Sequence, residues 1–231
     1  MAKFTPGALA GRISGSVHSQ TFSRNRYGAY VRARTVPINP DTAYQQAIRS
    51  FMSTYSAAWG ALSEADRLAW SGYAKSNPIT DSLGETQVLT GHAAYVGINS
   101  RLAQAGDVAI DVPPLGTAPI GLLTLSIVVD IGIGGTAITF GDTPLGADDR
   151  LVVQAAVVNS PGINYVKNLM KTIVISAKAQ ATAYDIESFL VERFGTLSVG
   201  QKVVVQCSVL SSVTGLLSRP LRAETIVVET A

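Results

Sequence analysis

The first 35 residues contain no aspartate and no glutamate, although they carry Lys3, Arg12, Arg24, Arg26, Arg32 and Arg34. The remaining 196 residues hold the other 12 basic side chains and all 16 acidic ones, so an arm at +6 precedes a body at −4. Charge is scarce throughout, at 15% of residues against about 25% in an average globular chain. Such a composition suits a surface hidden in an assembly, and it also suits a compact β domain. A single cysteine, Cys207, excludes an internal disulfide framework; it sits in an alternating apolar run and reads as a core thiol. No apolar run reaches the ~18–20 residues of a membrane span. The longest, Leu122–Val129, is interrupted by Thr124 and Ser126 and has the length of a strand. With no apolar core of a signal peptide at the N-terminus, the expectation is a soluble protein made in a reducing cytosol, with no membrane partner.

Chemistry is equally sparse. The only histidines are His18 and His92. A serine triad needs a histidine oriented by a carboxylate beside a nucleophile on a sharp turn, and no Gly-x-Ser-x-Gly elbow exists here. His18 reads as a polar strand residue, and His92 as a capping or surface residue near a helix start. Two histidines and one cysteine far apart cannot supply a structural zinc site. Gly132-Ile133-Gly134-Gly135 follows a strand without opening a helix and lacks the Lys-Ser/Thr of a phosphate loop, so it reads as a hairpin turn. Asp142, Asp148 and Asp149 lack the alternating-oxygen spacing of a calcium loop. Glu187 and Glu192 have no more claim to paired acid–base work than any other two carboxylates. The expectation is therefore no enzyme, no catalytic residue, no cofactor and no metal.

What the chain does contain falls into successive textures. In the arm, Val17–Phe22 and Ala29–Thr35 flank Ser23-Arg24-Asn25-Arg26-Tyr27-Gly28, a turn-like stretch with Gly28 available for positive φ. This predicts a two-stranded ribbon. A ribbon alone is marginal in water, and so polar a segment buries too little surface to fold unaided. Asn39-Pro40-Asp41 then offers an N-cap, a first-turn proline and a first-turn acid. Tyr44, Ile48, Phe51, Tyr55, Ala58, Trp59 and Leu62 recur at helical steps and predict a first helix. Ser63 caps a second, shorter one with Ala65, Leu68, Ala69 and Tyr73 as its stripe. Trp59 and Trp70 are expected to lock these two helices together. Gln87–Gln104 predicts a third helix, with Val88, Tyr95, Ile98 and Leu102 inward, Gly106 as its stop, and Gly91 and Gly97 weakening it.

The stretch from Val112 to Pro119 has three prolines in eight residues and reads as a linker. Beyond it, Leu122–Asp130, Thr136–Phe140, Arg150–Val158, Thr172–Ala177, Lys202–Leu210 and Ala223–Val228 are strand candidates at sandwich-like spacing. Ile186, Phe189, Leu190 and Phe194 have helical spacing that ends at Gly195.

Two resemblances follow from particular residues. Leu197-Ser198-Val199-Gly200-Gln201 leading into Lys202–Val205, then Val213-Thr214-Gly215 and Ser218-Arg219-Pro220, resemble the last hairpin of a fibronectin type III–like sandwich. The first 105 residues resemble an uncharacterised group of phage- and prophage-associated proteins. The resemblance is carried by Gly15-Ser16-Val17, Phe22–Gly28, Val31–Arg34 running to Pro37–Pro40, Arg49, Trp59–Ser63, Arg67–Trp70 and Thr90–Asn99. The phage association implies a virion component, and no catalytic motif comes with it.

Together these readings predict an α+β multidomain chain: a basic extended β-ribbon arm over 1–37, a small three-helix bundle over 38–106, a Pro-rich linker over 107–120 and an antiparallel Ig/FnIII-like β-sandwich over 121–231. The expected role is structural: a decoration, collar or fibre-like subunit, made in the host cytoplasm and carried in the virion. It would attach to copies of itself and to other virion proteins through Arg24, Arg26, Tyr27, Tyr30, Arg32 and Arg34. The same arginines, interleaved with Phe22, Tyr27 and Tyr30, also fit a nucleic-acid-binding accessory protein that holds phosphates and stacks on bases. A bacterial surface or filament subunit uses the same arm-plus-sandwich physics.

Overall fold

The computed structural model describes residues 2–3, 13–25, 28–35, 39, 41–80, 85–132, 135–141 and 145–229. The fold is mixed, with four helices and several antiparallel sheets among those residues. It divides into two compact units, Met1–Gln45 and Gln46–Ala231.

The first unit is a single antiparallel sheet of four strands: β1 (Ala2–Lys3), β2 (Gly15–Val17), β3 (Gln20–Asn25) and β4 (Gly28–Ala33), in the order β1-β4-β3-β2. The two-stranded ribbon expected from the sequence is its centre, β3 and β4, paired from Gln20↔Ala33 to Asn25↔Gly28. The two added strands are so short that no alternation could announce them. Arg26 and Tyr27, in the connection between β3 and β4, lie outside the described residues.

Helix α1 (Ala43–Ala61) starts later than its sequence signals suggest. Asp41 is held at φ +48°, a left-handed value that breaks any helix begun at Asn39. Thr42 takes the capping role instead, its Oγ1 accepting from the Gln45 amide at 3.3 Å. Helix α2 (Glu64–Ser76) begins at Ser63, whose Oγ accepts from the Asp66 amide at 3.1 Å, and carries Glu64 and Asp66 in its first turn. Strands β5 (Ile79–Thr80) and β6 (Thr86–Gln87) form a small hairpin. The third helix therefore cannot start at Gln87; α3 runs Gly91–Ala105, capped by Thr90 and stopped by Gly106 at φ +76°. Val88 lies outside it and is exposed.

Trp70, Ala74, Ala94, Tyr95, Val96, Ile98 and Leu102 form the buried cluster between α2 and α3, with Tyr55, Ala58, Trp59 and Leu62 of α1 and its exit packed on it. Gly91 is a close-approach residue: a Cβ there would stand 2.7 Å from the Ser71 backbone nitrogen, so its helix-weakening cost is offset by α2 and α3 meeting.

The remaining elements are β7 (Leu125–Asp130), β8 (Gly135–Phe140), β9 (Asp149–Val158), β10 (Lys171–Lys178), β11 (Tyr184–Asp185), α4 (Glu187–Phe194), β12 (Lys202–Ser211) and β13 (Leu221–Ile226). They make a four-stranded sheet, β10-β9-β12-β13, and a three-stranded one, β11-β8-β7. Both sheets contribute to one apolar core. Ile127, Val129, Ile138 and Phe140 come from the smaller sheet and Leu151, Val153, Val203, Val205, Cys207 and Val209 from the larger, with Leu190 of α4 beside them. Val204 and Ala156 point the other way, into a second cluster with Val158 and Val166. This is why β12 reads as a nearly continuous apolar run: it is covered on both faces. After β13 the chain changes sheet, Val228 bridging Asp130 of β7.

The stretch 107–120, expected to separate two domains, runs inside the second unit. Side chains fasten it on both sides. Asn99 receives the Ile110 amide (2.8 Å) and donates to the Ile110 carbonyl (3.0 Å), while Trp70 Nε1 donates to the Asp111 carbonyl at 2.6 Å. Asp107, its side chain 7% exposed, takes both ends of the Arg150 guanidinium at 2.8 and 2.9 Å. Three prolines remove helix and strand from this segment without making it a hinge.

Candidate interaction surface

The pairing register sorts the N-terminal sheet into two unlike faces. Because side chains alternate along a strand and align across a ladder, Phe22 shares a face with Val31. The same face carries Val17, Ala29 and Ala33, with Gln20 and Arg24 at its margins. The opposite face carries Ser16, Thr21, Ser23, Asn25, Tyr30 and Arg32. Ser16 and Thr21 meet there through their hydroxyls at 2.9 Å. Arg34 extends the same alternation, its amide donating to the Ser19 carbonyl at 2.7 Å. One face is therefore largely apolar and the other polar and basic.

Neither face belongs to a closed core. Among the described residues of 13–45 none is buried; Phe22, Tyr30 and Val31 are half-buried, and Val17, Arg24, Arg32 and Arg34 are exposed. Of the arginines assigned to attachment from sequence, Arg32 and Arg34 lie on one side of the sheet and Arg24 on the other. Sequence alternation alone could not separate them, because the relation between β3 and β4 depends on how many residues the turn consumes.

Trp59 and Trp70 reach the same neighbour rather than each other. Their rings lie 5.6 and 5.4 Å from that of Tyr95, which Tyr55 also approaches edge-on at 6.4 Å. Tyr95 of α3 is thus the hub, and burial pushes its phenol above the ordinary range. His92 is exposed on α3 with its ring against Trp59 at 5.6 Å. His18 is not a strand residue but the turn between β2 and β3, at φ +49°. Cys207 is wholly buried, and desolvation pushes its thiol up to about 12, as expected of a core thiol. Lys202, also buried, is neutralised by Glu224 (3.0 Å) and bonded to Asn164 (3.1 Å). Among the described residues no three His, Cys, Asp or Glu side chains converge as a metal site would require. No described helix is long and apolar enough to cross a membrane.

No family model matches the chain, and no curated protein matches it either. Among solved structures the chain is similar to a Fn3-like protein from Clostridium thermocellum at 21% identity, over 50% of this chain and 97% of that one, with a TM-score of 0.28.

Proposed function

We propose that this chain is a non-enzymatic structural subunit of a phage virion, attached through its N-terminal sheet and presenting its body as a decoration, collar or fibre-like module. In this reading α1–α3 act as a three-helix hub, and the two larger sheets form an Ig/FnIII-like sandwich. The observation that carries it is the first unit: an antiparallel sheet with an apolar face, a basic face and no buried residue among those described. A sheet of that kind is stabilised by what it lies on, and a neighbouring subunit supplies both an apolar cover and acidic groups. The phage resemblance of the first 105 residues supplies the setting.

The test is direct. Mass spectrometry of purified virions should find the protein, and the isolated chain should self-associate in sedimentation experiments. Replacing Phe22 and Val31 with Ser should reduce that association while the helical and β signatures of the body persist. A strict monomer at high concentration, absent from virions, would sink the proposal.

Nucleic-acid binding is the second reading, favoured by Tyr30 lying on the face of Arg32 and Arg34. It predicts retention on a DNA column at low salt that falls steeply as salt is raised. The net negative body argues for the protein partner instead.

A further inference from the structure

Between the end of α2, one side of α3 and the connection from β12 to β13 lies a cavity of about 550 Å³, a size common among small-molecule sites. Its lining is mostly apolar, with Leu89, Ile98 and Leu216 on the walls and Ile79 and Leu217 toward solvent. Into it comes one charged side chain, Arg101 of α3, together with Tyr73 of α2.

Arg101 is half-buried, and among the described residues the one protein acceptor it meets is the Gly215 carbonyl, 2.9 Å from Nη1. No carboxylate pairs with it among the described residues. Arg150, another half-buried arginine, shows what a balanced one looks like: it donates two bonds to the Asp107 carboxylate and a third to the Ser176 carbonyl. A guanidinium has five N–H donors, and a partly desolvated one with a single protein acceptor calls for an anion. Burial lowers the Arg101 pKa, Tyr73 countering it, while the Tyr73 phenol is raised and stays a neutral donor.

The space for that anion exists. A Cβ built on Gly97, one turn earlier on α3, would have Arg101 Nη2 at 3.9 Å as its only neighbour within 4 Å. The absence of a side chain at 97 leaves that end of the guanidinium open. One cation and no further basic group match a single negative charge, not a phosphate dianion. The apolar walls match a hydrocarbon body attached to it.

We propose that this cavity binds a small monocarboxylic acid, its carboxylate on the free N–H groups of Arg101 and the Tyr73 hydroxyl and its apolar body against Leu89, Ile98 and Leu216. Hexanoate and its neutral isostere hexanamide are the probes, titrated calorimetrically into the full-length protein. Hexanoate should bind saturably and hexanamide at least about tenfold more weakly, since the charge-assisted bonds are lost. Arg101→Met should abolish hexanoate binding. Because that change also removes the bond to Gly215, Gly97→Leu serves as a second variant: it keeps the guanidinium and fills the space beside it, and should abolish binding too. Arg222→Met, on the exposed face of β13, should leave the affinity unchanged. Equal affinity for acid and amide, no saturable binding of hexanoate, or hexanoate binding retained in both Arg101→Met and Gly97→Leu would overturn the assignment.

Discussion

The two units of this chain both form antiparallel ladders and differ in what their described residues bury. β3 and β4 pair along their lengths as β9 and β12 do, but β12 runs between two apolar clusters while no described residue of β2, β3 or β4 is buried. A backbone hydrogen bond contributes only about 0.5–1.5 kcal/mol net, comparable with the cost of ordering the residue that makes it. The difference teaches that hydrogen-bonded order and self-sufficient order are separate properties. In the second unit the core holds the ladder. In the first, no described residue forms such a core.

The largest effect that would sharpen this contrast lies at Arg150. Arg150→Met leaves the Asp107 carboxylate, 7% exposed, without its bidentate partner, and unpaired buried charges of this kind cost about 3–5 kcal/mol. A clear drop in the melting temperature of the body is expected, and Arg150→Met with Asp107→Leu should recover most of it. Trp70→Ala should be of similar size, about 3–5 kcal/mol, because Trp70 is wholly buried and holds the Asp111 carbonyl as well. Nothing in the first unit should match either. Val17→Ala, at a residue 60% exposed, should change stability by no more than about 0.5 kcal/mol. A comparable loss at Val17 would mean that the sheet has a core of its own.

Amide exchange reads the same comparison strand by strand. The amides of β3 and β4 should exchange well before those of β9 and β12 in dilute protein, and should gain protection when subunits associate. Equal protection in a proven monomer would break the distinction between the units. At the next smaller scale, Ser63→Ala removes the cap of α2 and should cost about 1 kcal/mol in thermal or chemical denaturation.

The parts that could be read from sequence are those governed by local rules. Ser63 opening α2, Gly106 closing α3, the strand run at Lys202–Leu210 and the helical turn ending at Gly195 each follow from a cap, a stop or a period. The misreadings arise where a distant partner decides. Asn39 has the chemistry of a cap, but the left-handed backbone at Asp41 passes the role to Thr42. Gly91 looks like a weakness until Ser71 is seen against it. The prolines of 107–120 suggest a loose linker, yet Asn99, Trp70 and Arg150, 11 to 43 residues from their partners in sequence, fasten it. At the candidate interaction surface the basic residues were visible and their sidedness was not, because strand register is a tertiary fact.

That sidedness gives the finest test. If attachment runs through the basic face, replacing Arg32 and Arg34 with Gln should weaken association, and Arg24→Gln, on the apolar face of the same sheet, should do less. No buried position is touched, so the melting of the body should not move. Each exposed ion pair contributes on the order of 0.5 kcal/mol, an effect too small to see in a single contact. Repeated around a closed assembly, two such pairs per subunit shift the concentration at which it forms. Association of the unmodified protein should then fall as salt rises from 0.05 to 0.5 M, roughly as screening shortens from above 10 Å to a few ångströms. The converse pattern, with Arg24 sensitive, Arg32 and Arg34 silent and salt without effect, would place the partner on the apolar face alone and make Arg32 and Arg34 a solubilising back.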